Sequence, residues 1–372
     1  MKSDIMLTNV PTMSIEKITN ILSNAYVSVI NKSLPISTVP SVMLWGAPGV
    51  GKSQCVRQIA SMIEKETNKR VNVTDVRLLL FNPIDLRGIP TSNADKTLAI
   101  WLRPQIFNME TSGNVVNILF LDEISAAPQS VQAAAYQITL DRTVGEHKLP
   151  DNCIIIAAGN RVTDKSVAYK MPKALSNRLL HIDVESNFDS WRKWAVKKGI
   201  NEKVIGFLSF KRNKLMAFDS QNDDLAFATP RSWELVSNIL NNVEDNEDNL
   251  IELISGLVGL GTAMEFRTWL LVYKDLPDIE DIFKGKCNIV PKTTDSLYAL
   301  STSIVAYVRQ HKDDMKSIIN SINYAQNMPV EYSILTLKDY LYIDEDLKHK
   351  LLKTKEYTKW LSDKGAILNA IV

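Results

Sequence analysis

Three short apolar runs stand out in the first half of the chain. They lie in "SVMLW" (Ser41–Trp45), in "VVNILFLDEIS" from Val115, and in "NCIIIAAGN" (Asn152–Asn160), and each is typical of a buried strand. After the first run, "SQCVRQIASMIEKE" has apolar residues at the spacing of one helix face. From about Phe188 onward the pattern is predominantly helical. The sequence therefore predicts an α/β region followed by a helical one.

Composition narrows the class of protein. The chain has 372 residues, 45% of them apolar, which is enough for about two or three domains with substantial cores. Its 43 lysines and arginines nearly balance 42 aspartates and glutamates, so the charge gives no case for a nucleic-acid or membrane partner. Three widely spaced cysteines indicate free thiols, and the first residues lack the apolar core of a secretion signal. We therefore expect a cytoplasmic protein.

The segment "GAPGVGKS", directly after the first apolar run, carries the main chemical signal. It spans Gly46–Ser53 and fits the pattern G-x-x-x-x-G-K-[ST] between a strand and a helix. Glycines let the backbone N–H groups converge on phosphates at the helix N-terminus. Lys52 is expected to reach the β- and γ-phosphates, and Ser53 to ligate Mg²⁺. The alternative is a glycine-rich turn without a ligand. The candidate nucleotide-binding residues are Gly46, Ala47, Pro48, Gly49, Val50, Gly51, Lys52, Ser53 and Gln54.

Polar residues also follow the other two runs. Asp122 and Glu123 end the second run, and Asn160 ends the third. Ligands of open parallel sheets bind beyond the carboxyl ends of the strands, so these side chains should face the phosphates. We expect Asp122 to be the second Mg²⁺ ligand, Glu123 to polarise the attacking water, and Asn160 to bond that water or the γ-phosphate. The alternatives are acids that simply end a strand at the solvent and an asparagine in a turn.

The order of five segments resembles that of the AAA+ ATPases, and within them the MoxR type. The segments are "GAPGVGKS", "LFLDE", "AAGN", "ALSNRL" and "ATPRSW", and the resemblance covers roughly Ile36 to Trp233. It implies a P-loop α/β fold with a parallel five-stranded sheet in the order 5-1-4-3-2 and helices on both faces. An all-helical lid and a C-terminal helical extension would follow.

The resemblance also assigns strands and domains. It implies an α/β nucleotide-binding domain over residues 1–187 with an N-terminal helix at 14–33, a lid over 188–290 and an extension over 291–372. The implied strands are Ser41–Trp45, Val71–Leu80, Asn117–Leu121, Cys153–Ala158 and Leu179–Val184.

Two arginines occupy positions to which the family gives roles. Arg178, in "ALSNRLLHIDV", lies where the family places an arginine finger that contacts a neighbouring subunit's γ-phosphate. Arg231, in "TPRSWE", lies at the lid arginine that senses nucleotide within one subunit. A guanidinium suits both roles because it offers fixed, bidentate donors to phosphate charge. The alternative for each is a surface ion pair.

Two further segments resemble hairpins inserted in the MoxR type. They are residues 82–106, between the second and third strands, and residues 141–150, before the third apolar run. Such hairpins often face a central pore or a partner, and the alternative is a pair of ordinary surface hairpins. The stretch "LLLFNP" after the second strand is the nearest candidate for a pore loop, but we interpret it as a strand end. A one-step remodelling role is therefore favoured over the threading of a polypeptide.

The resemblance implies an ATPase that uses ATP and Mg²⁺ and assembles with itself, as a hexamer in its relatives. It implies that the ring remodels, activates or assembles a client or adaptor protein, commonly one with a von Willebrand factor A domain. Two alternatives remain: a nucleic-acid motor or loader, and a scaffold that nucleotide merely orders. The neutral charge argues against the first, and an intact Glu123 argues against the second.

Overall fold

The computed structural model describes residues 9–161, 171, 176–219 and 224–371, without the side chains of Glu247 and 365–371. These residues form two compact units that divide between Asn187 and Phe188, with Asp219 grouped with the first. Both units have hydrophobic cores of their own. No helix in the described part of the chain is both long enough and apolar enough to span a bilayer.

The first unit is built on a parallel sheet of six strands. Its strands and those of two hairpins are β1 (Thr12–Ser14), β2 (Val42–Trp45), β3 (Arg70–Arg77), β4 (Ile89–Ser92), β5 (Ala99–Leu102), β6 (Val115–Asp122), β7 (Thr143–Val144), β8 (His147–Lys148), β9 (Cys153–Gly159) and β10 (Leu180–Glu185). The order in the main sheet is β1-β10-β2-β9-β6-β3, with every neighbouring pair parallel. The predicted order 5-1-4-3-2 is thus confirmed for the strands β10, β2, β9, β6 and β3.

The predicted number of strands, five, is wrong. The sixth strand, β1, pairs with Asp183–Glu185 of β10, and Pro11 O accepts a hydrogen bond of 2.9 Å from Asp183 N. Three residues are too few to show the alternation that reveals a strand in a sequence. The predicted second strand also ends earlier, at Arg77. Residues Leu78–Leu80 form a 3₁₀ turn that buries Leu78 and leaves Leu80 74% exposed.

Helices cover both faces of the sheet, as predicted. They are α1 (Ile15–Asn31), α2 (Lys52–Thr67), the short α3 (Pro83–Arg87) and α4 (Gln129–Asp141). Since successive side chains of a strand point to opposite faces, each buried strand contributes side chains to two hydrophobic cores. In β6, Phe120 packs with the α1 and α2 residues of one cluster, and Leu121 with the α4 residues of the other.

Two antiparallel hairpins leave the main sheet at the expected segments. In the first, β4 pairs with β5 and Ile89 lies opposite Leu102. In the second, β7 pairs with β8 and Val144 lies opposite His147. Gly145 has φ of 58°, the left-handed conformation that this tight turn requires and that glycine adopts without strain.

The second unit is helical throughout its described residues, as predicted. Its core contains large aromatic side chains, among them Phe207, Trp233 and Phe266, which contact one another at ring-centroid distances of 5.2–5.6 Å. It spans both the predicted lid and the predicted extension, so the division between them at 290 stays a prediction. The α-helices are Phe188–Lys198, Glu202–Phe210, Pro230–Asn242, Glu247–Val258, Leu260–Val272, Ile279–Phe283, Thr294–Gln310, Met315–Gln326, Val330–Ile343, Glu345–Leu351 and Lys355–Ile371.

Candidate functional site

The carboxyl ends of β2, β9 and β6 lie side by side and carry the residues that the sequence singled out. Trp45, the last residue of β2, is in register with Gly159 at the end of β9, and Gly46 N donates to Gly159 O at 3.3 Å. Leu121 of β6 is in register with Ala157 of β9. The glycine-rich loop, Asp122 and Asn160 therefore leave the sheet at one edge.

The loop after β2 needs glycine at two positions. Gly49 has φ of 77° and Gly51 has φ of 107°, both in the left-handed region that side chains disfavour. A Cβ atom on Gly51 would also lie 2.5 Å from Ile15 Cδ1 of α1. Helix α2 begins directly afterwards, at Lys52. Its free N–H groups and partial positive charge make this loop a ready anion site.

Lys52 lies almost buried in the loop, 9% exposed. Its Nζ donates to Gly46 O at 2.7 Å, to Ala47 O at 3.2 Å and to Asn160 Oδ1 at 2.9 Å. These three acceptors are neutral oxygens, and they fix the position of the ammonium group in the loop. The bond to Asn160 brings together two predicted site residues that are far apart in the sequence.

Ser53 and Asp122 are also in contact, because Ser53 Oγ donates to Asp122 Oδ2 at 3.1 Å. A hydroxyl and a carboxylate at this separation fit Mg²⁺, which takes oxygen ligands and usually keeps several waters of its own. Among the described residues no group of three or more His, Cys, Asp or Glu side chains could hold a metal. The donor set thus suits a magnesium ion shared with a phosphate better than a metal held by protein ligands alone.

Glu123 has an unusual backbone conformation. Its φ is 58°, a left-handed value that costs a residue with a side chain about 1–3 kcal/mol when the surroundings do not favour it. Two hydrogen bonds hold it there: Glu123 N donates to Asp122 Oδ1 at 2.9 Å, and Ile124 N donates to Ala158 O at 2.9 Å. The turn gives Glu123 a half-buried position immediately after the strand end. A carboxylate there is placed to polarise a water at the sheet edge.

Ser125 is a site residue that the sequence analysis missed. Its Oγ accepts from Asn160 N at 2.9 Å, and the residue is only 2% exposed. Gln132 Nε2 of α4 in turn donates to Ser125 O at 3.2 Å. Ser125 thus fixes the backbone of Asn160 relative to the turn at Glu123. The hydroxyl two residues after Glu123 in "DEIS" was the available signal.

Arg178 is not brought to this edge. It is exposed in the turn Ser176–Leu179, directly before β10. The first residue of β10, Leu180, is in register with Val42 at the start of β2, so the turn lies at the edge of the sheet opposite Lys52. Ala174 and Leu175 of the motif "ALSNRL" fall outside the described residues.

Arg231 belongs to the second unit. It is exposed as the second residue of helix Pro230–Asn242, which Thr229 caps by accepting from Ser232 N at 3.1 Å. The role of Arg231 stays a prediction.

Comparison with known proteins gives a match to a family model. Residues 41–181 match the model of the ATPase family associated with various cellular activities (AAA). The matched residues are less than half of the chain and lie in the first unit. The match supports nucleotide binding and ATP hydrolysis, so the chain is an ATPase.

Solved structures of similar fold include a mutant of RuvB from Thermotoga maritima, at 15% identity and a TM-score of 0.40 over 80% of this chain and 85% of RuvB. PCH-2 of C. elegans is similar at 12% identity and a TM-score of 0.34, over 81% of this chain and 68% of PCH-2. At these scores the likeness adds nothing to the AAA match. No curated protein matches the sequence.

Proposed function

We propose that this ATPase is of the MoxR type, forms a ring of identical subunits, hexameric as in the relatives it resembles, and uses ATP hydrolysis to remodel, activate or assemble a partner protein. The observation that carries the nucleotide chemistry is the convergence of Lys52 on Asn160 and of Ser53 on Asp122 at one sheet edge. The hairpins β4–β5 and β7–β8 support the MoxR type, because they occupy the two segments where that type has insertions.

The proposed nucleotide site is the loop 46–54 with the two acids and the asparagine beyond it. Its backbone N–H groups and Lys52 bind the phosphates, and Ser53 and Asp122 would hold Mg²⁺, which neutralises phosphate charge. Glu123 accepts a hydrogen bond from the attacking water, and Asn160 positions that water against the γ-phosphate.

The exposed position of Arg178 supports a role in trans. The turn that carries it lies at the sheet edge opposite Lys52, away from the glycine-rich loop of its own subunit. In a ring, the neighbouring subunit's γ-phosphate is the natural recipient. Arginine donated in this way raises hydrolysis by about a thousandfold or more. Arg231 would report the bound nucleotide within its own subunit.

The test of the ring is the dependence of hydrolysis on protein concentration. The rate per subunit should rise with concentration in the native protein, because each site needs a neighbour. Arg178→Ala should abolish that rise while ATP binding persists. Arg70→Ala is the matched control, since Arg70 is an exposed arginine on β3 of the same unit. Native concentration dependence in Arg178→Ala would disprove the role in trans.

The partner is tested with a variant that binds ATP without cleaving it. Glu123→Gln should retain its partner in ATP and release it in ADP when recovered from extracts of its native cell. A protein with a von Willebrand factor A domain, retained only in ATP, would support the proposal. Retained nuclease-sensitive nucleic acid would replace it with the motor or loader.

A further inference from the structure

We propose that His181 is a positioning residue, braced by Trp45, which holds the turn that presents Arg178 to the neighbouring subunit. The inference rests on the proposed role of Arg178 in trans. It assigns to His181 and Trp45 a function that no motif of the chain indicates. Its basis is a chain of hydrogen bonds that runs from the end of β2, next to the glycine-rich loop, to that turn.

The first link joins two adjacent strands. Trp45 Nε1 donates to His181 Nδ1 at 3.0 Å, and the two ring planes lie within 17° of parallel with centroids 6.1 Å apart. Trp45 is the last residue of β2, immediately before Gly46 of the loop. His181 is the second residue of β10 and is in register with Met43. The contact therefore links the carboxyl end of β2 with the amino end of β10.

The second link joins His181 to the turn. An indole N–H can only donate, so Nδ1 of His181 is the acceptor and its Nε2 carries the ring proton. That Nε2 lies 2.7 Å from Ser176 O and donates to it. Ser176 Oγ lies 3.2 Å from the same nitrogen. Both ring nitrogens are thus in use, and their roles are fixed by Trp45.

Ser176 O also closes the turn itself. It accepts from Leu179 N at 3.4 Å, a long bond that leaves the turn dependent on other contacts. Leu179 is 9% exposed and packs in the core cluster that contains Met43. The turn is therefore fixed at Ser176 by His181 and at Leu179 by the core, while Arg178 between them is exposed.

This arrangement has a specific consequence for catalysis. Hydrolysis is slower if the backbone of an arginine that must contact a phosphate on another subunit is mobile, because positioning supplies much of the catalytic effect. Loss of the His181 bond should loosen the turn and reduce turnover at the neighbour's site. It should leave the loop that binds nucleotide in the same subunit intact.

The test is a double-mutant cycle between His181 and Arg178 in the full-length protein. His181→Ala should lower kcat about tenfold, the factor expected from one lost hydrogen bond, with the Kd of ATP changed less than about twofold. In an Arg178→Ala background the same change should have no further effect. Trp45→Phe keeps the ring and removes the donor, so it should lower kcat in the same direction by less. Asn177→Ala, an exposed position in the same turn, is the control.

A spectroscopic arm does not depend on activity. The indole N–H resonance of Trp45, assigned by its loss in Trp45→Phe, should move upfield in His181→Ala, and His181→Gln should restore part of the shift and part of kcat. Additive effects of His181→Ala and Arg178→Ala, or an unmoved indole resonance, would overturn the inference while leaving the proposed function in place. Native hydrolysis in Arg178→Ala would overturn the trans role of Arg178 and this inference with it.

Discussion

Both units bury a basic side chain, and they satisfy it in different ways. In the second unit Arg192, 4% exposed, donates from Nε and Nη2 to Asp339 Oδ2 at 3.0 and 2.6 Å and from Nη1 to Ser209. In the first unit Lys52, 9% exposed, donates to two carbonyls and an amide oxygen. Arg192 is bonded to a carboxylate, whereas these three acceptors of Lys52 are neutral oxygens.

The difference indicates that Arg192 has a structural role and Lys52 a chemical one. A buried ion pair joins two helices, Phe188–Lys198 and Val330–Ile343, and has no charge left for a ligand. Lys52 lies instead in the glycine-rich loop at the start of α2, where backbone N–H groups and the helix N-terminus favour an anion. We therefore expect substitution of Lys52 to change mainly the ATPase activity and substitution of Arg192 to change mainly the stability of the fold.

The largest expected effect is that of Lys52→Ala. ATP hydrolysis should fall about 100- to 1,000-fold, the usual cost of removing one donor to developing charge. The thermal midpoint should change little, because the carbonyl and amide oxygens that accept from Lys52 can be hydrated once it is gone. Steady-state hydrolysis and a melting curve measure the two quantities. Lys65→Ala on the exposed face of α2 is the control, and native hydrolysis by Lys52→Ala would contradict the site.

Next in size is Arg192→Ala. It leaves Asp339 buried without its counter-charge, which should lower the free energy of unfolding of the second unit by about 3–5 kcal/mol. Urea unfolding followed by tryptophan fluorescence measures the loss. The double change Arg192→Met with Asp339→Leu should recover most of it, because no charge then remains buried. A double variant as unstable as the single one would show that the pair itself supplies the stability.

A smaller effect is expected for Ser125→Ala. Asn160 N loses its acceptor, so the amide of Asn160 is less well placed and kcat should fall about tenfold. Steady-state hydrolysis measures it. Ser23→Ala is the matched control, since Ser23 is buried and its Oγ has no hydrogen-bond partner in the described structure. Equal rates in the two variants would exclude a role for Ser125.

The smallest effect concerns a half-buried carboxylate of the second unit, Glu265, which pairs with Lys211 and Lys214. Hydrogen bonds from Lys211 and Lys214 lower the pKa of Glu265. A lowered pKa stabilises the fold above the ordinary glutamate pKa, and this contribution is lost as the pH falls through the lowered value. Glu265→Gln should therefore cost less than about 1 kcal/mol at pH 7 and nothing in strong acid. Urea unfolding at the two pH values tests this, and a larger cost in acid would reverse the sign.

The motifs predicted the centre of the site because its residues belong to contiguous patterns. Lys52, Ser53, Asp122 and Asn160 each follow an apolar run, and parallel strands bring such ends to one edge. The order of five of the six strands was implied by the family resemblance instead. Lys52, after the loop that follows β2, contacts Asn160, directly after β9, at the edge where the motifs place both.

What the sequence did not reveal depends on single contacts between distant residues. Trp45 and His181 are 136 positions apart, and Ser125 and Asn160 are 35 apart, with no local pattern that marks either pair. In the sequence, a histidine that bonds one carbonyl and one indole cannot be distinguished from any other isolated histidine. The strand β1 is likewise defined by its pairing with β10 rather than by its own three residues.

The two edges of the main sheet are protected by different means. At one edge, β3 exposes Arg70, Asp75 and Arg77, charges that deter pairing with another chain. At the other edge, β1 covers the carboxyl half of β10. A version of the protein shortened past Ser14 would uncover the backbone of Asp183–Glu185, a template onto which a second molecule could add a strand. We therefore expect the solubility of the protein to depend on the three residues Thr12–Ser14.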